Sequence, residues 1–144
     1  MSNNLRDIMT TDVESVSLLD NAYEVAEKME KLNVGAMPVI EGDNLVGMIT
    51  DRDLVLRGYA KKRSGSTAVS ELMTKDLVVG TPDMTVDEAS ELMAKHQIRR
   101  LPVVENGKVV GIVSIGDLAV RNEYADEAGE ALSEISQPSS PNIE

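Results

Sequence analysis

The chain has no cysteine, no tryptophan and no phenylalanine, and its only aromatic residues are three tyrosines. The absence of cysteine excludes disulfides, iron–sulfur clusters and thiol catalysis. Three tyrosines offer no platform on which the bases of a single-stranded nucleic acid could stack. No apolar run approaches the roughly 20 residues that a helix needs to cross a bilayer, and the N-terminus, MSNNLRDIMT, does not resemble a signal peptide. We therefore expect a cytoplasmic protein.

Basic residues are also scarce, since 14 lysines and arginines stand against 25 acids and give a net charge of −11. Such a chain is repelled by nucleic acid and by anionic membranes, so we expect neither as a partner. The single histidine, His96, has no metal-binding spacing around it, and the chain lacks both common glycine-rich phosphate loops. No pair of a nucleophile and a base is evident. We expect no metal, no catalytic residue and no enzymatic activity.

What the chain does have is an internal repeat. The stretch MPVIEGDNLVGMITDRDLVLR at 37–57 returns at 101–121 as LPVVENGKVVGIVSIGDLAVR, with a constant offset of 64 and no gap. The offset relates Pro38 to Pro102 and Asp53 to Asp117. A gap-free duplication of this kind predicts two copies of one small structural unit.

Each copy is predicted to form a strand, a helix, two strands and a second helix. In the first copy, the strands lie at 13–18, 37–40 and 45–49, and the helices begin near 22 and 51 and end near 33 and 59. In the second copy, the strands lie at 76–81, 100–104 and 108–114, and the helices span about 86–96 and 116–121. Asn106-Gly107 is a strong hairpin signal between the last two strands.

These elements give an α/β (α+β) fold with 1–59 as the first domain, 60–70 as a linker and 71–121 as the second domain. A unit of about 50 residues is marginal alone, so we expect the copies to pack sheet against sheet about a pseudo-twofold axis, with the helices outside. Residues 122–135 predict an acidic helix, which places Tyr124, Ala128, Leu132 and Ile135 on one side and docks on the body or on a partner. Residues 137–141 are expected to be disordered.

Candidate chemistry lies where each hairpin ends, in the pattern Gly-x-x-Thr/Ser-x-x-Asp. The first-copy motif is Thr50–Asp53 and the second-copy motif is Ser114–Asp117. One interpretation is a helix cap, in which the hydroxyl and the carboxylate bond to backbone N–H groups. The other is a sugar site, in which the carboxylate accepts hydrogen bonds from two ribose hydroxyls beside a helix N-terminus. The sequence leaves both open.

The duplicated units, each with Pro-Val before the turn and this motif after it, resemble a tandem pair of CBS domains, a Bateman module. The resemblance covers about residues 7–121 and is strongest to stand-alone bacterial proteins of that family. It implies a regulatory module without an obligatory cofactor, which binds AMP, ADP, ATP or S-adenosylmethionine in clefts between the copies. It also implies a homodimer and leaves open a client protein. The alternative is a structural, dimerisation or interaction protein whose clefts hold no nucleotide.

By the same resemblance, the motif residues contact the ribose and phosphate, while residues on the first strand and before the proline contact the base. The implied ligand-binding residues are Ser17, Ala36, Met37, Pro38, Thr50 and Asp53 in the first copy, and Thr81, Arg99, Arg100, Leu101, Pro102, Ser114 and Asp117 in the second.

The copies differ at Arg99 and Arg100, which replace Gly35 and Ala36 of the first copy. They are either a solvated strand start or a phosphate clamp, since guanidinium groups match phosphate oxygens. In a chain of charge −11, a nucleotide would need such local cations. A second phosphate-binding site in the first copy is therefore in doubt.

Overall fold

The computed structural model describes residues 4–119. Its contacts divide the chain into two compact units. The first-copy unit is Glu14–Leu77, and the second-copy unit combines the chain up to Val13 with the chain from Val78 onward. The helix predicted at 122–135 and the disorder predicted at 137–141 fall outside the described residues.

The first-copy unit is a short sheet with helices. Its elements are β1 (Val16–Ser17), α1 (Ala22–Leu32), β2 (Ala36–Glu41), β3 (Asn44–Thr50) and α2 (Asp51–Asp53). α2 continues as a π-helical segment, Leu54–Gly58, and a 3-10 turn, Tyr59–Lys61. β1 runs parallel to β2, and β2 runs antiparallel to β3.

The second-copy unit repeats this plan with α3 (Val86–His96), β4 (Arg100–Glu105), β5 (Lys108–Ser114) and α4 (Ile115–Ala119). β4 and β5 are antiparallel, and their register shifts between Val103 and Val104. β2 has the same irregularity 64 residues earlier, between Val39 and Ile40. The α+β class and the repeated unit predicted from the sequence are confirmed.

Both long helices begin and end in the same way. Asn21 and Glu24 form a capping box at the start of α1, and Thr85 and Glu88 form one at the start of α3. These reciprocal bonds satisfy two backbone N–H groups that a helix start leaves free. Each helix ends at a residue in the left-handed region, Asn33 with φ 56° and Gln97 with φ 54°.

Each unit has its own hydrophobic core. In the first-copy unit, the core consists of Val16, Val25, Met29, Met37, Val39, Ile49, Val69, Leu72 and Met73. In the second-copy unit, it consists of Leu5, Ile8, Val86, Ala89, Met93, Ala94, Leu101, Val103, Val113, Ile115 and Leu118.

Short segments that lie far from a hairpin in sequence complete both cores. Thr10 pairs with Ile112 of β5, and its N–H and the N–H of Ile112 each donate over 2.9 Å to the other's carbonyl. Thr74 pairs in the same way with Met48 of β3, over 2.8 and 3.0 Å. The segment that precedes the second copy therefore belongs to the first-copy unit, and the segment that precedes the first copy belongs to the second-copy unit.

Two predicted strands are shorter than expected. The strand predicted at 13–18 is reduced to Val16–Ser17. The strand predicted at 76–81 is wrong as a regular strand, because only Gly80 pairs with its neighbour, Val103. The chain turns immediately afterwards, where Met84 N–H donates to the Thr81 carbonyl over 3.1 Å.

The stretch predicted as a linker, 60–70, carries structure at both ends. Lys61 still belongs to the helical segment that begins with α2, and Val69–Glu71 form a 3-10 helix. Val69 is fully buried in the first-copy core. Only its middle, from about Lys62 to Ala68, is the irregular connection that the composition indicates.

Candidate functional site

The two motifs form nearly identical capping boxes. In the first-copy motif, Thr50 N–H donates to Asp53 Oδ2 and Asp53 N–H donates to Thr50 Oγ1, both over 3.0 Å. In the second-copy motif, Ser114 N–H donates to Asp117 Oδ2 over 2.9 Å and Asp117 N–H donates to Ser114 Oγ over 3.1 Å. The capping interpretation is therefore correct for both copies. In the second copy, the cap uses only Oδ2 of Asp117 and leaves its Oδ1 available for another role.

Arg57 restrains the first-copy aspartate further. Its Nε lies 3.7 Å from Asp53 Oδ1, and the Asp53 side chain is only 13% exposed. Arg57 also donates to the carbonyls of Leu72 and Met73, over 3.3 and 2.8 Å. This arginine thereby joins α2 to the segment that completes the first-copy core. The sequence shows only that an arginine recurs at this repeat position. The contacts of Arg57 with Asp53 and with the carbonyls of Leu72 and Met73 could not be predicted from it.

Backbone pairing places the residues that open each hairpin beside the motif that closes it. Ala36 lies opposite Thr50, and Arg100 lies opposite Ser114. The N–H of Ile115 donates to the Arg99 carbonyl over 3.1 Å. The structure therefore brings Arg99 and Arg100 to the same end of the β4–β5 hairpin as Ser114 and Asp117.

Four other candidate residues are buried rather than presented at the surface. Met37 is 1% exposed and Leu101 is fully buried, and both belong to the hydrophobic cores. Pro38 and Pro102, which follow them, are buried as well. The residues that precede these pairs are less buried, since Ala36 is half-buried and Arg100 is exposed.

Ser17 and Thr81 lie away from the motifs. Ser17 is level with Ile40, four residues along β2 from Ala36, which is about 13 Å at about 3.3 Å per residue. Its hydroxyl accepts a hydrogen bond from Leu19 N–H over 3.1 Å, within a local turn. Thr81 follows the Gly80–Val103 bridge and is the repeat equivalent of Ser17, so it lies at the same distance from the start of its neighbouring strand. The structure thus does not bring these two residues to the end of the sheet where Ala36 and Arg100 lie.

The motif glycines are explained by packing. A Cβ built on Gly47 would lie 2.6 Å from Met73 Sδ, and one built on Gly111 would lie 2.5 Å from Met9 Sδ. Each would also lie 3.0 Å from the carbonyl oxygen of the following threonine, Thr74 or Thr10. The close approach that a glycine permits is used here by the segment that completes each unit.

The two hairpin ends differ in the charge beside the strand start, which is negative in the first copy and positive in the second. In the first copy, a Cβ on Gly35 would lie 3.1 Å from Asp51 Oδ2, so a carboxylate occupies the space beside the strand start. In the second copy, the position of Asp51 is taken by Ile115, which is buried, and the position of Gly35 by Arg99. Arg99 and Arg100 are exposed, and within residues 4–119 no hydrogen bond or ion pair involves either guanidinium. The second-copy end is therefore the one suited to an anion.

No group of three or more histidine, cysteine, aspartate or glutamate side chains within residues 4–119 is placed to hold a metal ion. In that range, no helix combines the length and the apolar character that crossing a bilayer requires.

Comparisons with known proteins agree with the repeat. The CBS domain family model matches residues 5–58 and 69–121. The chain is 51% identical over 132 residues to the CBS domain-containing protein YhcV of Bacillus subtilis, covering 92% of this chain and 94% of that one.

Two solved structures share the fold. The structure of Hypoxic Response Protein I with two coordinated zinc ions is 32% identical, with a TM-score of 0.76, and covers 81% of this chain and 97% of that one. The structure of CBSX2 in complex with AMP is 29% identical, with a TM-score of 0.73, and covers 85% of this chain and 96% of that one.

Proposed function

Because this chain belongs to the CBS domain family and contains a pair of such domains, we propose that it senses an adenosine-containing ligand, namely AMP, ADP, ATP or S-adenosylmethionine. CBS-pair proteins are regulatory modules, and a structural neighbour is a complex with AMP. We propose a binding role without catalysis. The adenine nucleotide would be a regulatory ligand and not an obligatory cofactor.

The observation that carries this proposal is the combination of groups at the second-copy hairpin end. Asp117 uses Oδ2 for the cap, and within residues 4–119 no hydrogen bond reaches its Oδ1. A carboxylate oxygen of this kind suits ribose hydroxyls, which are donors. Arg99 and Arg100 supply planar donors that match phosphate oxygens. One hairpin end therefore offers groups for both the sugar and the phosphate of a nucleotide.

The first-copy end supports a different and weaker role. Thr50, Asp53 and Ala36 share one end of its hairpin, but Asp53 is held by Arg57 and Asp51 adds a negative charge nearby. We propose that this end binds the uncharged part of a ligand or none. Phosphate affinity should depend on the second copy alone.

The test is Arg100→Ala, which recreates the first-copy residue Ala36 at the equivalent position. Loss of one or two charge-assisted hydrogen bonds, about 1.5–3 kcal/mol, predicts at least about tenfold weaker binding of AMP or ATP in calorimetric titration. The matched control is Arg52→Ala, an exposed arginine of the first-copy motif, which should leave the affinity unchanged. Equal affinities for Arg100→Ala and the unsubstituted protein would reject the phosphate clamp.

A second candidate is a structural or interaction protein, and one observation favours it. Both motif aspartates are already used as helix caps, which is a complete role in itself. Asp117→Asn separates the candidates, because an amide oxygen can still accept from Ser114 N–H but carries no charge. If the protein binds nucleotide, Asp117→Asn should lower the free energy of binding by more than it lowers the free energy of unfolding.

We further propose a cytoplasmic homodimer that passes the ligand signal to a client protein. The first-copy unit exposes Leu19, Tyr23 and Tyr59, with 92%, 62% and 85% of each residue accessible, and large exposed apolar side chains of this kind are common at protein interfaces. Light scattering with size-exclusion chromatography would measure the mass directly. A monomer at micromolar concentration would reject the dimer and leave the ligand proposal standing.

A further inference from the structure

The two long helices differ in how much of their surface is covered. Along α3, Val86, Ser90 and Ala94 are 1%, 5% and 7% exposed. These residues are four apart and form one stripe of the helix. The same positions on α1 are Ala22, which is half-buried, and Ala26 and Glu30, which are exposed. A face that is open on α1 is therefore closed on α3.

The described elements of the second-copy unit do not account for this difference. Adding 64 to 14–55 gives 78–119, and subtracting 64 from 68–77 gives 4–13. Every described part of the second-copy unit thus has a counterpart in the first-copy unit, where the stripe is open. The additional cover is expected from chain beyond this shared set.

A second observation shows that the cover is incomplete as described. Ser90 is only 5% exposed. Its Oγ nevertheless has no hydrogen-bond partner within residues 4–119. A buried hydroxyl without a partner is destabilising, and natural proteins rarely leave one. The hydroxyl therefore points to a polar neighbour that the described residues do not supply.

We propose that residues 122–135 pack as an amphipathic helix along the α3 stripe formed by Val86, Ser90 and Ala94. The segment begins three residues after Ala119, the last described residue of α4, which belongs to the same unit as α3. Its apolar side carries Tyr124, Ala128, Leu132 and Ile135, and Tyr124 also brings a hydroxyl. A helix of these 14 residues is about 21 Å long, enough to cover the 11 residues of α3 at about 16 Å.

The residue types on both sides suit this contact. Ser90 and Ala94 are small, and Ala128 and Gly129 are small at the centre of the segment, so the two helix axes can approach closely. The remaining side of the segment carries Glu123, Asp126, Glu127, Glu130 and Glu134 with no basic residue. That side would face water and account for much of the acidic balance of the chain.

The absence of cysteine makes the test direct, because a single introduced thiol reports only its own surroundings. The test compares two variants of the 144-residue chain, Ser90→Cys and Ala26→Cys, by the rate at which each reacts with a thiol reagent. Cysteine is a small residue that tolerates burial, so Ser90→Cys should keep the fold. Cover by the segment predicts that Ser90→Cys reacts at least about tenfold more slowly than Ala26→Cys, because the thiol is reached only when the contact opens locally.

The decisive arm adds Leu132→Asp and Ile135→Asp to each reporter. The proposal predicts at least about a tenfold rise in the rate of Ser90→Cys, as local protection is lost, and no change for Ala26→Cys. Glu130→Gln with Glu134→Gln, on the acidic side of the segment, is the matched control and should leave both rates unchanged. A third reporter, Val25→Cys at a fully buried core position, should stay unreactive throughout and shows that the protein has not unfolded.

Two outcomes would overturn the proposal. Ser90→Cys could stay protected in the Leu132→Asp, Ile135→Asp background, which would assign the cover to another part of the chain. Its protection could instead fall on dilution, with the segment intact and a matching fall in mass by light scattering. The second result would assign the face to a second copy of the protein.

Discussion

At the scale of single residues, Asp117 has two demands on one carboxylate. Its Oδ2 holds the start of α4 by accepting from Ser114 N–H, and the proposed ribose contact would use the remaining oxygen. Substitution by alanine would remove both, so a fall in binding could follow from a frayed helix start. Asp117→Asn and Arg100→Ala separate the two effects. Asparagine keeps an oxygen that can accept from Ser114 N–H, and Arg100 takes no part in the cap.

Also at this scale, substitution of a motif glycine tests whether close packing is the reason that glycine stands at this position. In Gly111→Ala, the new Cβ would fall 2.5 Å from Met9 Sδ and 3.0 Å from the Thr10 carbonyl. Overpacking of this kind costs about 1–3 kcal/mol, so urea unfolding should show a free energy of unfolding lower by that amount. The control is Gly116→Ala in α4, where the nearest atom, Ser114 Oγ, is 3.5 Å away. It should be neutral or slightly stabilising, since alanine favours helix more than glycine does. Equal effects of the two substitutions would contradict the packing account.

At the scale of elements, the segment around Thr10 acts as a structural part of the second-copy unit. Leu5 and Ile8 lie in its core, 0% and 6% exposed, and Leu5 N–H donates to the Met84 carbonyl over 2.9 Å. Residues near the N-terminus therefore support the same unit as Arg99, Arg100 and Asp117. Loss of this segment should weaken the candidate site from a distance.

Leu5→Ala measures this support. Truncating a fully buried leucine costs about 2–5 kcal/mol, so the free energy of unfolding should fall by that amount in urea. Arg6→Ala is the neighbouring control, because Arg6 and its ion-pair partner, Asp83, are both exposed, and exposed pairs contribute about 0–1 kcal/mol. A Leu5→Ala protein as stable as Arg6→Ala would show that the segment is not part of the core.

The elements also show what the sequence could and could not predict. α1, α3 and both hairpins follow from caps, apolar spacing and turn residues, which are local signals, and the structure confirms them. The pairing of Thr10 with β5 was not predictable, because residues 5–10 and 69–74 are equivalent in the repeat and nothing local says which hairpin each joins. The strand predicted at 76–81 failed for a similar reason. Its alternation of apolar residues is real, but a turn at Thr81 leaves only Gly80 paired.

Which candidate residues share one hairpin end could be predicted in part, and their role in binding a ligand stays a prediction. The motif residues and the neighbouring arginines could be found because duplication marks them and the copies differ there. The sequence did not reveal that Met37 and Leu101 would be core residues or that Ser17 would close a local turn. It also gave no sign that Arg57 would hold Asp53. Each of these depends on contacts between residues that are distant in sequence or on which face of a strand is covered.

At the scale of the whole molecule, the duplication has produced two similar units with different surface chemistry. The net charge of −11 repels any nucleotide. Of the two hairpin ends, the second-copy end is the one that carries two exposed arginines at its strand start. The first-copy unit instead exposes Leu19, Tyr23 and Tyr59, where the second copy carries Asp83, Asp87 and Glu123. The proposed function would assign phosphate recognition to the second copy and an apolar contact surface to the first.

The most direct test of the central claim, that the chain binds an adenosine-containing ligand, is thermal unfolding of the 144-residue protein with AMP, ADP, ATP and S-adenosylmethionine. A ligand that binds only the folded state at 100 times its Kd stabilises by about 2.7 kcal/mol and raises the Tm. The account predicts a rise with at least one of the four, and a reduced rise for the phosphate-containing ligands in Arg99→Gly with Arg100→Ala. No rise with any of them at millimolar concentration would contradict it and favour the structural alternative.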